Sequence, residues 1–187
     1  MSIIPNLYHR TNCYKTQTIE LVNQFIRSKF EKINIDELAK EDSEKVLKKS
    51  PIGSIPLYQV GDFFLSGTKA IIQFILSSNS GEVSEILLKS NNYYEKALVE
   101  MWSDFVISNI WVILEIIFTT EKGKLILNDK SDVFSEAKND LFTVLEKINS
   151  HLVFQTYIVG SSMSLADLML AASLTPIFEN LKQLNIN

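Results

Sequence analysis

Few residues in this sequence combine the chemistry and the placement that catalysis needs. Cys13 is the one cysteine, and it stands directly before Tyr14 to Phe30, a stretch that reads as a helix. Free amides at a helix N-terminus favour a thiolate, the nucleophilic form of cysteine. The competing reading is a small half-buried residue in the first turn. Tyr8 offers a phenol in the preceding segment, where it also suits a strand core. His9 and Arg10 are isolated polar residues at a strand end, solvated or lining a cleft. His151 falls late in a helix, with no second ligand nearby, so no metal centre is expected. Lys45, Lys48 and Lys49 form a short basic cluster that Glu41, Asp42 and Glu44 cancel. It reads as a solvated helix face, not a nucleic-acid site. Ser164 and Asp167, three apart at the head of an apolar run, have the spacing of a capping box, and Met163 and Leu168 are placed for a hydrophobic staple over it.

These residues need elements to position them. Ile3 to His9 reads as a strand, followed by the Tyr14 to Phe30 helix with Ile19, Val22, Phe25 and Ile26 on one face. Lys32 to Leu38 reads as a second strand and Glu41 to Lys49 as a charged helix. Ser54 to Val60 and Phe63 to Leu65 are strands around the turn signal Gly61-Asp62. Thr68 to Leu76 is helical, with Ala70, Ile71, Phe74 and Ile75 apolar. The order β-α-β-α-β-β-α implies a small mixed sheet with helices packed on it. Residues 1–78 form one domain and 79–92 a linker. After the linker, 93–187 shows no strand pattern. Tyr93 to Phe118 is a long helix with the stripe Leu98, Trp102, Phe105, Asn109, Val112 and Ile116. Thr119 to Lys130 is a polar loop, and Asp132 to Phe154 a helix with Phe134, Ala137, Leu141, Leu145, Ile148 and Leu152 on one side. Pro176 is expected to kink or end the helix that Ser164 opens.

The chain has 187 residues, and 18 basic against 22 acidic side chains give a net charge of −4. Such mild acidity gives no general pull toward nucleic acid or anionic membranes. A single cysteine excludes a disulfide framework and suits a reducing compartment. Met1 to Pro5 lacks the pattern of a signal peptide, and the apolar run Ile110 to Phe118 is too short to span a bilayer. A cytoplasmic location follows as the expectation.

Three segments in order carry a family resemblance: Leu7-Tyr8; Ser50-Pro51-Ile52-Gly53-Ser54-Ile55-Pro56 with Phe64-Leu65-Ser66-Gly67-Thr68; and Tyr157-Ile158-Val159-Gly160 with Ser164-Leu165-Ala166-Asp167. Together they resemble the glutathione transferase fold. The resemblance implies an α+β chain with a thioredoxin-like N-terminal domain and an all-helical C-terminal domain. Within that superfamily, Ala97 to Phe105, Ser108-Asn109-Ile110 and Leu47 to Gly53 most resemble the transferase-like domain of the gamma subunit of translation elongation factor 1. Related domains occur in aminoacyl-tRNA synthetase complexes.

The resemblance implies that Ile55, before a cis Pro56, offers its backbone to the cysteinyl part of glutathione. Thr68 would meet a glutathione carboxylate together with the amides of its helix. The family's acidic residue before that position is here Gly67, so the implied glutathione site is vestigial and no cofactor is required, although glutathione remains possible. The expectation is a non-catalytic interaction module of the translation machinery, paired with elongation factor 1 subunits or aminoacyl-tRNA synthetases. The alternative is an active transferase with Cys13 or Tyr8 assisting the glutathione thiol. The resemblance also implies an oligomer pairing through the long helix, with Tyr93 and Tyr94 at the subunit surface. The family normally adds helices after the one at Ser164, so the sequence reads as a piece of a longer protein.

Overall fold

The computed structural model describes residues 4–79, 81–121, 124–127 and 133–180. Ile3, Ser80, Lys130 and Asp132 of the expected segments lie outside them. The chain divides into two compact units, one reaching Ser84 and the other beginning at Glu85.

The first unit runs β1 (Asn6–His9), α1 (Tyr14–Ile26), β2 (Glu31–Asn34), a 3₁₀ turn (Ile35–Glu37), α2 (Lys40–Lys49), β3 (Leu57–Val60), β4 (Phe63–Ser66) and α3 (Thr68–Ser78). The strands form one sheet in the order β2-β1-β3-β4. β1 and β2 are parallel, whereas β3 is antiparallel to β1 and β4 to β3. Leu7 and Tyr58, paired across β1 and β3, are buried, as are Ile19 and Val22 of α1 and Ile71, Ile72 and Ile75 of α3. Tyr58 also meets the rings of Phe30 and Phe74 edge-on, each at 6.1 Å. Burying these side chains gives roughly 1.5–3 kcal/mol each.

The faces of both helices differ from expectation by about one position. Phe25 is 42% exposed, because the buried side of α1 runs through Tyr14, Thr18, Ile19 and Val22. The chain leaves that helix at Arg27 with φ of 55°. On α3 the buried side is Thr68, Ile71, Ile72, Ile75 and Leu76, which leaves Ala70 outside.

Residues 82–88, expected as linker, form the helix α4 (Glu82–Leu88). The second unit continues with α5 (Tyr93–Phe105), a π-helical turn (Val106–Trp111), α6 (Val112–Ile117), β5 (Phe118–Glu121), β6 (Lys124–Leu127), α7 (Phe134–Leu152) and α8 (Leu165–Glu179). The domain is therefore not all-helical. Strands β5 and β6 pair as a two-stranded sheet where a polar loop was expected.

The long helix also turns a different side to the core. Val99, Ser103, Val106, Ile110, Leu114 and Ile117 are buried, while Leu98 and Val112 of the expected stripe are 43% and 50% exposed. The helix is apolar on both sides, so periodicity marks a stripe without saying which stripe is covered. The continuous run Tyr93–Ile117 has 25 residues and, by length and composition alone, could cross a membrane. Here it packs on α7 and α8, and the Trp111 indole donates to Ser173 Oγ at 2.7 Å.

Helix α8 is apolar nearly all round and buried along its length. It runs through Pro176 instead of ending there. The missing amide costs one helical bond, but the following turn is closed by Asn180, whose side-chain amide donates to the Pro176 carbonyl at 2.8 Å. At its start the capping box forms. Asp167 accepts from Ser164 N–H at 2.8 Å and from Ser164 Oγ at 2.6 Å, and its other oxygen accepts from Ile158 N–H at 2.8 Å.

Candidate functional site

The sheet register decides which loops meet. Tyr8 pairs with Leu57, Leu57 with Ser66, and His9 with Asn34. The ends of β1, β2 and β4 and the start of β3 therefore share one edge of the sheet. The segments leaving that edge are 10–13, leading to α1; 35–39, leading to α2; 50–56, leading into β3; and 67, leading to α3. Cys13, the Ile55–Pro56 pair, Gly67 and Thr68 all belong to it. Tyr8 lies at the same edge, but its hydroxyl donates to Gln59 Oε1 at 2.8 Å. Gln59 pairs with Asn6, so the phenol points back along the strands, away from the edge.

Three helices start at this edge, and none has a side-chain cap; Ala39 is the N-cap of α2. Cys13 is the N-cap of α1 and Gly67 that of α3, and neither supplies a side-chain hydrogen bond to the first turn. Among the described helices of ten or more residues, only α1 and α3 have no acidic residue in the first turn. The dipoles of both helices therefore meet the edge with no acidic side chain in the first turn, which suits anionic groups of a ligand. Cys13 is partly exposed, and Thr68 is buried in the first turn of α3. Gly67 has φ of +93°, and a Cβ added there would meet nothing within 4 Å. That backbone suits glycine, and the position where the family carries an acid opens on empty space.

The Ile55–Pro56 bond is cis. The loop holding it is fixed by serines that carried no signal of their own in the sequence. Ser50 Oγ lies 2.7 Å from Ser66 Oγ and 3.0 Å from the Ser54 carbonyl, and it accepts from Ser54 N–H at 2.9 Å. This cluster pins the proline loop to the end of β4, one residue before Gly67.

Beside Cys13, an open cleft of about 470 Å³ runs between α1 and β2. His9 and Arg10 line it, as expected of residues at a strand end. Arg10 pairs with Asp36 at 2.8 Å. The cleft does not include Ile55, Pro56 or Thr68. His151 is placed elsewhere: its Nε2 lies 2.9 Å from the Ile158 carbonyl and its ring packs on Trp102 at 4.6 Å. Among the described residues no group of His, Cys, Asp and Glu is arranged to hold a metal.

No family model matches the chain. It is 31% identical over 151 residues to a rice protein (Oryza sativa subsp. japonica) named "Probable glutathione S-transferase", a match covering 76% of this chain and 67% of the relative. The chain belongs to the glutathione transferase family. A solved structure of glutathione S-transferase-I with lactoylglutathione superposes with a TM-score of 0.75 over 98% of this chain and 90% of that one, at 21% identity. That likeness establishes the glutathione transferase fold, a thioredoxin-like unit followed by a mostly helical one.

The comparisons correct the expected function. The chain is also similar to a protein named "Probable elongation factor 1-gamma 1" of Arabidopsis thaliana, at 28% identity over 128 residues, 68% of this chain and 30% of that protein. The transferase match is longer, higher in identity and covers twice the share of its relative. A non-catalytic translation module is therefore the weaker reading. Of the stretches that suggested it, Ala97 to Phe105 buries only Val99 and Ser103, and Leu47 to Gly53 leads into the proline loop.

Proposed function

We propose that the chain is a glutathione transferase that conjugates glutathione to small electrophiles. The observation that carries this reading is the shared sheet edge, where two uncapped helix starts with no acidic residue in the first turn flank the cis Ile55–Pro56 loop. A tripeptide thiol with carboxylates fits that arrangement. Ile55 would offer its backbone to the cysteinyl residue, the first turn of α3 with Thr68 would take a carboxylate, and the amides beside Cys13 would favour the thiolate. Gly67 leaves the glutathione ammonium without the usual carboxylate, so binding is weakened at that end. The relatives' name supports the activity. The lone cysteine supports a reducing, cytoplasmic setting.

The same reading includes pairing with a second copy through α5. Tyr94, Leu98 and Met101, spaced four and three apart, are 86%, 43% and 52% exposed on that helix.

The test is retention on immobilised glutathione together with a conjugation assay using 1-chloro-2,4-dinitrobenzene. Retention and turnover are expected, with turnover lowered at least tenfold by Thr68→Ala. Absence of both retention and turnover in the folded chain refutes the reading.

A further inference from the structure

The cleft beside Cys13 is lined by polar residues, and its internal bonding is uneven. The donors of Asn34, Lys32 and Arg10 are already engaged. Asn34 gives its amide hydrogens to Thr11 Oγ1 at 2.9 Å and to Glu37 Oε1 at 2.8 Å. Lys32 pairs with Glu20 at 3.2 Å, and Arg10 is drawn to Asp36. Two buried oxygens on the cleft wall are not. Thr16 is 3% exposed and lines the cleft, and its hydroxyl oxygen has no partner among the described residues. Gln17 Oε1, one residue on and lining the same cleft, is likewise buried without a partner. Glu37 takes the Asn34 amide but has no ion pair among the described residues.

A buried polar oxygen without a partner costs about 1–3 kcal/mol, and native proteins rarely leave two side by side. A donor from outside would satisfy both oxygens, and Glu37, the lining carboxylate without an ion pair among the described residues, adds a negative charge at the exposed rim. We propose that this cleft binds a small molecule carrying an aliphatic ammonium group. An ammonium brings three donors and no acceptor, which matches Thr16, Gln17 and Glu37. A volume of about 470 Å³ is within the range of small-molecule sites. The site does not rest on transferase activity, and of the positions assigned to glutathione it shares only Cys13.

Cys13 reports occupancy directly, since it lines the cleft and is the one thiol in the chain. The experiment follows its alkylation by N-ethylmaleimide in the folded chain at matched ionic strength. The probes are putrescine, the uncharged 1,4-butanediol of equal length, and glycinamide, whose ammonium sits beside an amide as in an amino acid. At a free concentration ten times its Kd, a bound amine slows labelling about elevenfold. Protection by putrescine alone identifies an alkyl amine as the ligand type, and protection by glycinamide alone an amino-acid type. Glu37→Gln, a surface change that keeps the Asn34 bond, is expected to raise the Kd at least tenfold, with Gln17→Leu as a second variant. Equal protection by butanediol, undiminished protection in Glu37→Gln and Gln17→Leu, or no protection by either amine overturns the proposal. The last result means that the cleft holds only water.

Discussion

Replacing Asp167 by alanine removes one carboxylate that serves three donors. The backbone amides of Ile158 and Ser164 and the Ser164 hydroxyl all lose their acceptor. Ile158 is 3% exposed and Ser164 fully buried, so water does not reach the freed groups without local opening. The hydroxyl can rotate to another acceptor, but the two amides cannot. At about 1–3 kcal/mol for each unsatisfied buried donor, the loss is about 2–6 kcal/mol before relaxation. Partial rearrangement of the loop around Ile158 brings the expected value to about 3 kcal/mol. For a chain of this size each kcal/mol lowers Tm by about 2–4 °C, so Asp167→Ala is expected to melt about 6–12 °C below the parent. Asp167→Asn keeps one acceptor and should fall between the two. Scanning calorimetry of the three proteins measures both the size and the order. An alanine variant within 2 °C of the parent refutes the view that this carboxylate, rather than the apolar packing of α8, holds the helix start.

Three further outcomes are expected. Burial raises the Tyr58 phenol above its ordinary value near 10, so the folded state keeps a proton that the unfolded state has lost. The stabilisation is complete below pH 10 and is lost as pH rises toward the folded value; Tyr58→Phe should flatten the fall in stability between pH 9 and 11, and an unchanged slope in chemical denaturation counts against it. Leu98→Glu places a charge in the exposed stripe of α5 and should convert a dimer to a monomer in light scattering, whereas a parent that is already monomeric removes the pairing proposal. Gly67→Glu adds a carboxylate in open space at a strained φ of +93°. It should cost about 1–3 kcal/mol of stability and tighten glutathione several-fold by calorimetry; unchanged affinity shows that this ammonium contact is not what limits binding.

The first unit was more legible than the second, for a physical reason. Its elements are short and each is bounded by its own signal: the Gly61-Asp62 turn between β3 and β4, the Pro51 to Pro56 stretch before β3, the Gly67-Thr68 start of α3. One residue misplaced at such a boundary shifts an end without changing the order. In the second unit the signal is amphipathic period alone. On the Tyr93–Ile117 run that period fits two stripes, and the one read as core, Leu98 to Ile116, is the more exposed. A π-helical turn at Val106–Trp111 also offsets the register between the halves of the run, which a fixed 3.6-residue period does not anticipate. Pro176 does not end α8, because its cost is local and the helix goes on through the buried Ile177 to Glu179. At the site, Cys13, Pro56 and Thr68 could be picked out. The Ser50–Ser54–Ser66 cluster could not, since serine at a turn is common and only the fold brings position 50 to position 66.

The helix starts distinguish the functional edge from the rest of the chain. At α5, Asn92 Oδ1 accepts from the amides of Tyr94 and Glu95; at α8, the Ser164 side chain accepts from the Asp167 amide in the capping box. These N-termini are neutralised from within, and each cap is worth about 1 kcal/mol. At α1 and α3 the equivalent positions hold Cys13 and Gly67, which do not cap, and the first turns carry no acid. Left alone, such starts are a loss of stability, and at Gly67 the positive φ also restricts which residues could supply a cap. An anionic group brought in by a ligand would offset the dipole at each start. A thiolate beside α1 and a carboxylate beside α3, carried by one molecule bridged by the Ile55 backbone, would offset both together. Binding would then also stabilise the first unit, in proportion to RT ln(1 + [L]/Kd), so that glutathione at ten times its Kd adds about 1.4 kcal/mol. A capped variant of either helix, such as Cys13→Ser, separates the two contributions: if its hydroxyl caps α1, it should gain stability without ligand and lose part of the increment with it. An increment identical to the parent's would show that the open start of α1 takes no part in holding glutathione.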